Sequence, residues 1–422
     1  MSDVHYAFMF LGFVITLFNA RVLWALRQRM MLAFPRRGKV AAAVVFTTCL
    51  VLLSPALALA FGGLSALRAF RDETPIWLAI TCMTLQFAIW MYGLSLAFVS
   101  VPADIVLRWR KFRRGLGTLP AIPNVMPSDM QRRRAMQRAA LSLPVAIVAT
   151  SSLGAAASQD EPKIGRIALP LRPDYRALDG ITVAQFSDVH VGSYMSARRL
   201  SVLRDTLKSL RPDIIVCTGD LLDNHPDQLG QATELLRSLS APRGVYMCMG
   251  NHDYIAAMST TDSNVANITK PLRETGVDLL IAQTRKIAVN GSHLWLMGTD
   301  YPDMPGLPAM LRRSTKQSLD SCLAEVKDDA APRIIMAHTP SQFNEGKHRE
   351  IDLMLSGHTH GGQISLGRIG DYNLSPVLPF EHYHRGLYEH EGRRLYVNSG
   401  YGGWLPIRVN CPPEITLVTF QA

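Results

Sequence analysis

Nine residues between positions 188 and 360 have the types and spacing to hold metal ions and to move protons. "QFSDVH" carries Asp188 and His190, "TGDLLD" carries Asp220, and "MGNHD" carries Asn251, His252 and Asp253. "MAHTP" adds His338, and "SGHTHGG" adds His358 and His360. Carboxylates, an amide oxygen and imidazoles are ligands for hard or borderline divalent ions. No cysteine stands among them, which argues against a structural thiolate zinc site. Alternate side chains of an extended strand share a face, so both members of D-x-H point one way, and so do both members of H-x-H.

Each piece alone has an ordinary explanation. Gly-Asp after a strand is a common turn, and Asn and Gly suit left-handed turn positions without any metal. A single histidine at a strand end is more often a hydrogen-bonded core residue than a ligand. Five such endings in one order are not explained by turn chemistry. Their joint occurrence points to a metal centre.

The elements that must position them are legible from residue 165 onward. Short apolar runs ("GITVAQF", "DIIVC", "GVYMCM", "LWLMG", "RIIMA", "IDLML", "RLYV", "EITLVTF") alternate with polar helical stretches such as "SARRLSVLRDTLKSL" and "QATELLRSL". Apolar runs of four to six residues ending in Gly, Asp, His or Asn are buried strands of an α/β domain. Functional side chains in such folds gather on the loops leaving the carboxyl ends of the strands.

The series D-x-H, G-D, G-N-H-D, H and G-H-x-H resembles the calcineurin-like metallophosphoesterase superfamily over about residues 180–420. The extended "GHTHGGQI", "GLY" and "LYVNSG" are similar to its bacterial membrane-associated branch. Some members of that branch cleave the pyrophosphate of UDP-diacylglucosamine. The resemblance implies a two-sheet sandwich flanked by helices and a pair of divalent ions (manganese, zinc or iron, with manganese the first expectation). It implies that Asp188, His190 and His360 hold one ion, that Asn251, His338 and His358 hold the second, and that Asp220 bridges them. It also places His252 over the leaving group with Asp253 orienting it.

The chemistry of two such ions is consistent with that assignment. Divalent ions roughly 3.5–4 Å apart clamp a phosphoryl group, and water between them loses its proton near neutral pH. His252 is the one histidine of the cluster left over from the ligand set, so it is the candidate proton donor. No Walker-type glycine loop and no Ser or Cys nucleophile motif is present. Hydrolysis by metal-bound hydroxide, without a covalent enzyme intermediate, is therefore the expected reaction.

The first third of the chain differs in texture. Apolar runs fall at about residues 6–26, 40–61, 76–101 and 139–157, and roughly 20 helical residues cross a bilayer. They predict an all-α membrane region of three to four helices over residues 1–158, ahead of a catalytic domain over 165–422. The formal charge of +10 belongs to this segment: residues 1–156 carry +12 and residues 157–422 carry −2. A basic excess beside apolar runs reads as membrane topology rather than a nucleic-acid face, so no nucleic-acid partner is expected. Arg27, Arg29, Arg36, Arg37 and Lys39 follow the first run, and nine basic residues lie within 108–138. These loops are then cytoplasmic, and one further crossing puts the catalytic domain on the extracytoplasmic side of a cell inner membrane. The stretch "RRRAMQRAALSLPVAIVATSSLGAAAS" also resembles a twin-arginine export signal, which would export the domain without anchoring it.

The expected partners are thus the membrane and a phosphate-ester substrate, and a short tether favours a lipid-linked phosphate. A pyrophosphatase of a UDP-linked acylated sugar is the alternative. A ligand-binding sensor or transport module is a second, less favoured because the apolar runs carry almost no polar groups at mid-depth. No C-x-x-C pair occurs, and a pairing of Cys322 with Cys411 stays open. His382, His384 and Trp404 are candidates for the surroundings of the site, whereas His225, His293, His348 and His390 belong to no constellation.

Overall fold

The computed structural model describes residues 13–24 and 161–422, apart from 172, 193, 303–311, 328, 330, 366, 370–371, 376, 379–380, 404–407 and 409. The chain divides into two compact units, Met1–Gly154 and Ala155–Ala422. The apolar runs at 40–61, 76–101 and 139–157, and residues 6–12 and 25–26 of the first run, lie outside the described residues, as does Trp404. In the first unit residues 13–24 are helical, with Phe13, Val14, Leu17, Phe18 and Trp24 exposed. Among the described residues no helix is long and apolar enough to cross a membrane.

The second unit is built on two mixed six-stranded sheets. The first has the order β1 (Lys163–Pro170), β14 (Glu414–Gln421), β2 (Thr182–Phe186), β3 (Ile214–Cys217), β4 (Val245–Met247) and β5 (Asp278–Leu279). β2 to β5 run parallel, and β14 is antiparallel to β2. The second has the order β12 (Gly386–His390), β13 (Arg393–Val397), β9 (Leu353–Ser356), β8 (Arg333–Met336), β7 (Ser292–Gly298) and β6 (Gln283–Val289). Its central strands β13, β9, β8 and β7 are parallel. A short ribbon of β10 (Arg368–Ile369) and β11 (Tyr372–Asn373) stands apart.

Three apolar clusters explain the layering. The middle one joins Val183, Ile214, Val216 and Phe420 of the first sheet to Ile287, Leu296, Ile334, Met336 and Leu355 of the second. The strands are apolar on both faces because each sheet also carries helices. On the outer face of the first sheet, α1 (Ala197–Leu210) buries Leu200, Leu203 and Leu207, one stripe of a 3.6-residue repeat. Ser196 caps it by accepting from the Arg199 N–H at 3.3 Å. α2 (Leu229–Arg237), α3 (Asn251–Met258) and α4 (Ala266–Arg273) complete that layer. α5 (Thr315–Ala324) and the short α6 (Phe343–Gly346) cover the second sheet through Leu319, Cys322 and Phe343. Cys322 and Cys411 are both free and buried.

The two mixed sheets and flanking helices agree with the expected architecture. The parallel strands β2, β3 and β4 of one sheet, and β8 and β9 of the other, release their carboxyl-end loops into one region. That shared direction positions the site.

Candidate metal centre

The five strand-end motifs converge. Asp188 and His190 follow β2, Asp220 follows β3, Asn251 opens α3 after β4, His338 follows β8, and His358 and His360 follow β9. Three groups of ligand atoms each lie within 4.8 Å: Asp188 with His190 and His360, His190 with Asp220 and His252, and Asp220 with His338 and His358. Asp220 is common to two of them. Asp188, His190, Asp220, His338 and His360 are almost wholly buried, whereas Asn251, His252 and His358 are partly open.

The local backbone explains how so many ligands fit. Asp188, His190, Asp220, His358 and His360 all have left-handed φ, between 48° and 71°. Non-glycine residues rarely adopt that region, and clusters of them mark functional sites. Gly219 and Gly250 make room where the loops after β3 and β4 touch. A Cβ on Gly219 (φ 93°) would lie 2.7 Å from Nδ1 of His338, and one on Gly250 would strike the Asp220 carboxylate.

Nδ1 of His338 lies 2.8 Å from the Thr218 carbonyl and must donate to it. A neutral ring then presents a lone pair at Nε2. That atom sits 3.2 Å from Asp220 Oδ2 and 3.2 Å from Asn251 Oδ1, both acceptors as placed, and 3.2 Å from Nδ1 of His358. His190 Nε2 faces His360 Nε2 at 3.1 Å, and His360 Nε2 stands 3.4 Å from Asp188 Oδ1. Lone pairs pointing at one another call for a positive charge between them.

The ionisation of the cluster carries the same message. Burial disfavours charge on His338, but Asp220 outweighs it and lifts that imidazole to about 9. Burial, then His338, pushes His358 down to about 3. Burial, with His190 and Arg408 beside it, holds His360 well below the usual histidine range. Burial opposes ionisation of Asp220, yet His338 and His252 keep its carboxyl well below the usual range. The cluster thus draws in one proton at His338, where a cation would sit, and keeps His358 and His360 neutral.

His252 stands at the edge of the group, its ring 4.6 Å from that of His190. Burial depresses its imidazolium, but Asp220 and Asp223 together raise it above the ordinary value. The carboxylate that faces Nδ1 of His252 is Asp223 Oδ1, at 3.5 Å. Asp253, expected from the resemblance to orient His252, is occupied elsewhere. Its Oδ2 accepts from the N–H groups of Asp220 (3.0 Å) and Gly250 (2.9 Å), and its Oδ1 from Leu222 (2.9 Å). At the third position of α3 its side chain reaches back along the chain, so it ties the β3 and β4 loops together and cannot also face the ring. Burial and Asp220 raise its carboxyl to about 6.

The surroundings hold further residues that the motifs did not reveal. The Tyr301 ring, at the end of β7, lies 6.1 Å from His338 and 6.2 Å from His358. Arg408 is buried with Nη2 3.4 Å from His360 Nδ1. The backbone carbonyl of His384 accepts from Thr359 Oγ1 at 2.7 Å, which ties that loop to the H-x-H segment. His382 packs against Tyr383, and His293 faces Asp329 at 2.9 Å. Neither joins a ligand group among the described residues.

The sequence profile of the calcineurin-like phosphoesterase family matches residues 181–362. The metallophosphoesterase YkuE of Bacillus subtilis is 33% identical over 251 residues, covering 58% of this chain and 80% of that protein. The transmembrane protein with metallophosphoesterase domain of Bos taurus is 26% identical over 404 residues, covering 92% of this chain and 84% of that protein. The UDP-2,3-diacylglucosamine pyrophosphatase LpxG of Chlamydia trachomatis is 27% identical over 290 residues, covering 61% of this chain and 88% of that protein. The chain belongs to the calcineurin-like phosphoesterase family. It is a metal-dependent hydrolase of phosphoric esters, with His/Asp clusters that could bind two ions.

Proposed function

We propose that the chain is a membrane-held phosphoesterase of two divalent ions, manganese being the first candidate, acting on a lipid-linked phosphate ester. Residues 165–422 form the catalytic domain, and residues 1–158 an anchor of three to four helices that sets it on the extracytoplasmic face of the inner membrane. Asp188, His190 and His360 hold one ion, Asn251, His338 and His358 the other, and Asp220 serves both.

The observation that carries this reading is the convergence of Asp220, Asn251, His338 and His358 on one small volume with lone pairs facing inward. The donor set, all oxygen and imidazole nitrogen, fits manganese, iron or zinc. When bound, the ions would supply Lewis acidity to the phosphoryl oxygens and lower the pKa of the attacking water. The chain's own residues do the remainder. Thr218 fixes the ring of His338, and both oxygens of Asp188 accept from the His358 N–H, at 2.9 and 3.0 Å, which holds the H-x-H loop in register. Asp223 orients His252, whose proton goes to the leaving oxygen.

Two further observations support the membrane part. The similarity to the bovine transmembrane protein extends over 92% of this chain. The helix over 13–24 leaves Phe13, Leu17, Phe18 and Trp24 exposed. The likeness to LpxG favours one more specific reading, cleavage of the pyrophosphate of a UDP-linked acylated sugar.

The test uses the purified full chain and its Asp220→Asn variant, each analysed for metal and assayed on a lipid phosphate ester and on a UDP-linked diacylated sugar. The wild type is expected to hold two equivalents and cleave the lipid ester, and the variant to lose both ions and both activities. Two equivalents retained by Asp220→Asn reject the shared ligand. Cleavage of the UDP-linked sugar alone transfers the assignment to the pyrophosphatase reading.

A further inference from the structure

Outside the segment matched by the family profile, one buried cation touches the site. Arg408 is 2% exposed. Its Nη2 donates to the carbonyls of Ser399 (2.9 Å), Gly400 (3.0 Å) and Gly402, its Nε to Gly402 (3.1 Å), and its Nη1 to Cys411 (3.1 Å). The same Nη2 lies 3.4 Å from Nδ1 of His360. A guanidinium presents five donors in a fixed fork, so one side chain can hold several carbonyls at set angles.

The turn it holds is the one that backs the first ion position. While the carbonyls of Ser399, Gly400 and Gly402 face Arg408, the N–H groups of Tyr401 and Gly402 donate to the carbonyls of Ser187 and Asp188, both at 2.8 Å. Gly400 packs so closely that a Cβ there would lie 2.9 Å from Cβ of Asp188 and 3.0 Å from Nδ1 of His360. The turn is thus clamped between Asp188 and His360 on one side and Arg408 on the other. Glu414 closes its start by accepting from the Ser399 N–H at 3.2 Å. The clamp meets the second position at one point: the Asp188 carboxylate accepts from the His358 N–H, at 2.9 and 3.0 Å.

We infer that Arg408 is a positioning residue chiefly for one of the two ion positions: by locking the 399–402 turn it fixes Asp188 and the ring of His360 directly, and meets the other position only at second hand, through the hydrogen bond from the His358 N–H to Asp188. The inference rests on the ligand assignment proposed above. Removing the partner that orients a metal ligand commonly weakens metal affinity by about 10–100-fold.

The experiment measures manganese binding to the purified full chain by titration calorimetry with parallel metal analysis, for wild type, Arg408→Lys, Arg408→Gln and Gly400→Ala. Lysine keeps the charge but loses the fork. Gly400 has φ +72° and no room for a side chain, so its replacement displaces the same turn with Arg408 intact. Each variant is expected to bind one equivalent as the wild type does and the other about 10–100-fold more weakly, with kcat falling more than KM. Two equivalents at wild-type affinity in the variants overturn the inference. Where the Arg408 variants do not fold, Gly400→Ala decides by the same two outcomes. A wild type that binds fewer than two equivalents, or an Asp220→Asn variant that still binds two, refutes the ligand assignment itself and is read separately.

Discussion

Oδ1 of Asp223 stands 3.5 Å from Nδ1 of His252 and 3.7 Å from Nδ1 of His190. One carboxylate on the loop after β3 therefore faces both a candidate ligand and the candidate proton donor. The two imidazoles meet edge to face at 4.6 Å, and a ring nitrogen of His252 lies within 4.8 Å of ligand atoms of His190 and Asp220, so the candidate donor is held against the candidate metal centre.

The role of His252 is separable from metal binding by choice of leaving group. His252→Asn should slow hydrolysis of an alkyl phosphate by about 10²–10⁴-fold, the usual range for general acid–base catalysis. A nitrophenyl ester needs little protonation as it leaves and should lose far less. Equal losses on both substrates, measured as kcat, would remove the proton-donor assignment.

The pH profile tests Asp223. A general acid works while protonated, and His252 is raised by Asp220 and Asp223 against the effect of burial. Rates with a poor leaving group should hold until pH passes the raised imidazolium pKa and then fall. Asp223→Asn removes one of the raising charges, so the alkaline fall should move to lower pH, with little change for the activated ester. An unmoved alkaline limb would mean that Asp223 does not set the protonation of this ring.

Asp253 makes a different prediction from the one its place in "GNHD" invites. Its carboxylate accepts three backbone N–H groups, from Asp220, Leu222 and Gly250. Asparagine offers one acceptor and turns an N–H₂ toward buried donors. A buried donor left without a partner costs about 1–3 kcal/mol. Asp253→Asn should lower the midpoint of thermal unfolding and weaken metal binding together, with no special sensitivity to the leaving group. A variant as stable as the wild type would mean that the loops are held by other contacts.

Topology can be read with reporters at residue 115 and at the C-terminus. An alkaline phosphatase fusion should be active only at the C-terminus, because nine basic residues over 108–138 hold that loop in the cytoplasm. Fluorescent fusions active at both positions, with both phosphatase fusions silent, would place the catalytic domain inside the cell.

The candidate ligands were legible because chemistry and periodicity coincide in them. Asp188 and His190 end an apolar run that can only be a buried strand, and the same holds for His338, His358 and His360. Asp223 was also in view, three residues after Asp220 in "TGDLLD", but Leu221 and Leu222 are both buried and no simple alternation shows where the second aspartate points. Asp253 misled because adjacency in sequence suggests adjacency of side chains. At the start of a helix the third residue instead turns back toward the N-terminal amides. Arg408 gave no signal, since a lone arginine in a Pro- and Gly-containing loop reads as surface. Its burial depends on carbonyls brought together only by the fold.

The proposed ligands are divided between the leaves of the sandwich. Asp188, His190, Asp220 and Asn251 belong to β2, β3 and β4 of the first sheet, whereas His338, His358 and His360 belong to β8 and β9 of the second. Each proposed ion position draws on both. An ion seated there acts as a rivet through the open end of the sandwich, where the apolar filling between the sheets gives way to loops. Binding only to the closed form, at a free concentration one hundred times its Kd, it adds about 2.7 kcal/mol to the closure. A chelator would then be a mild denaturant for this chain as well as an inhibitor, unfastening the seam at one end while the apolar interior still grips the other.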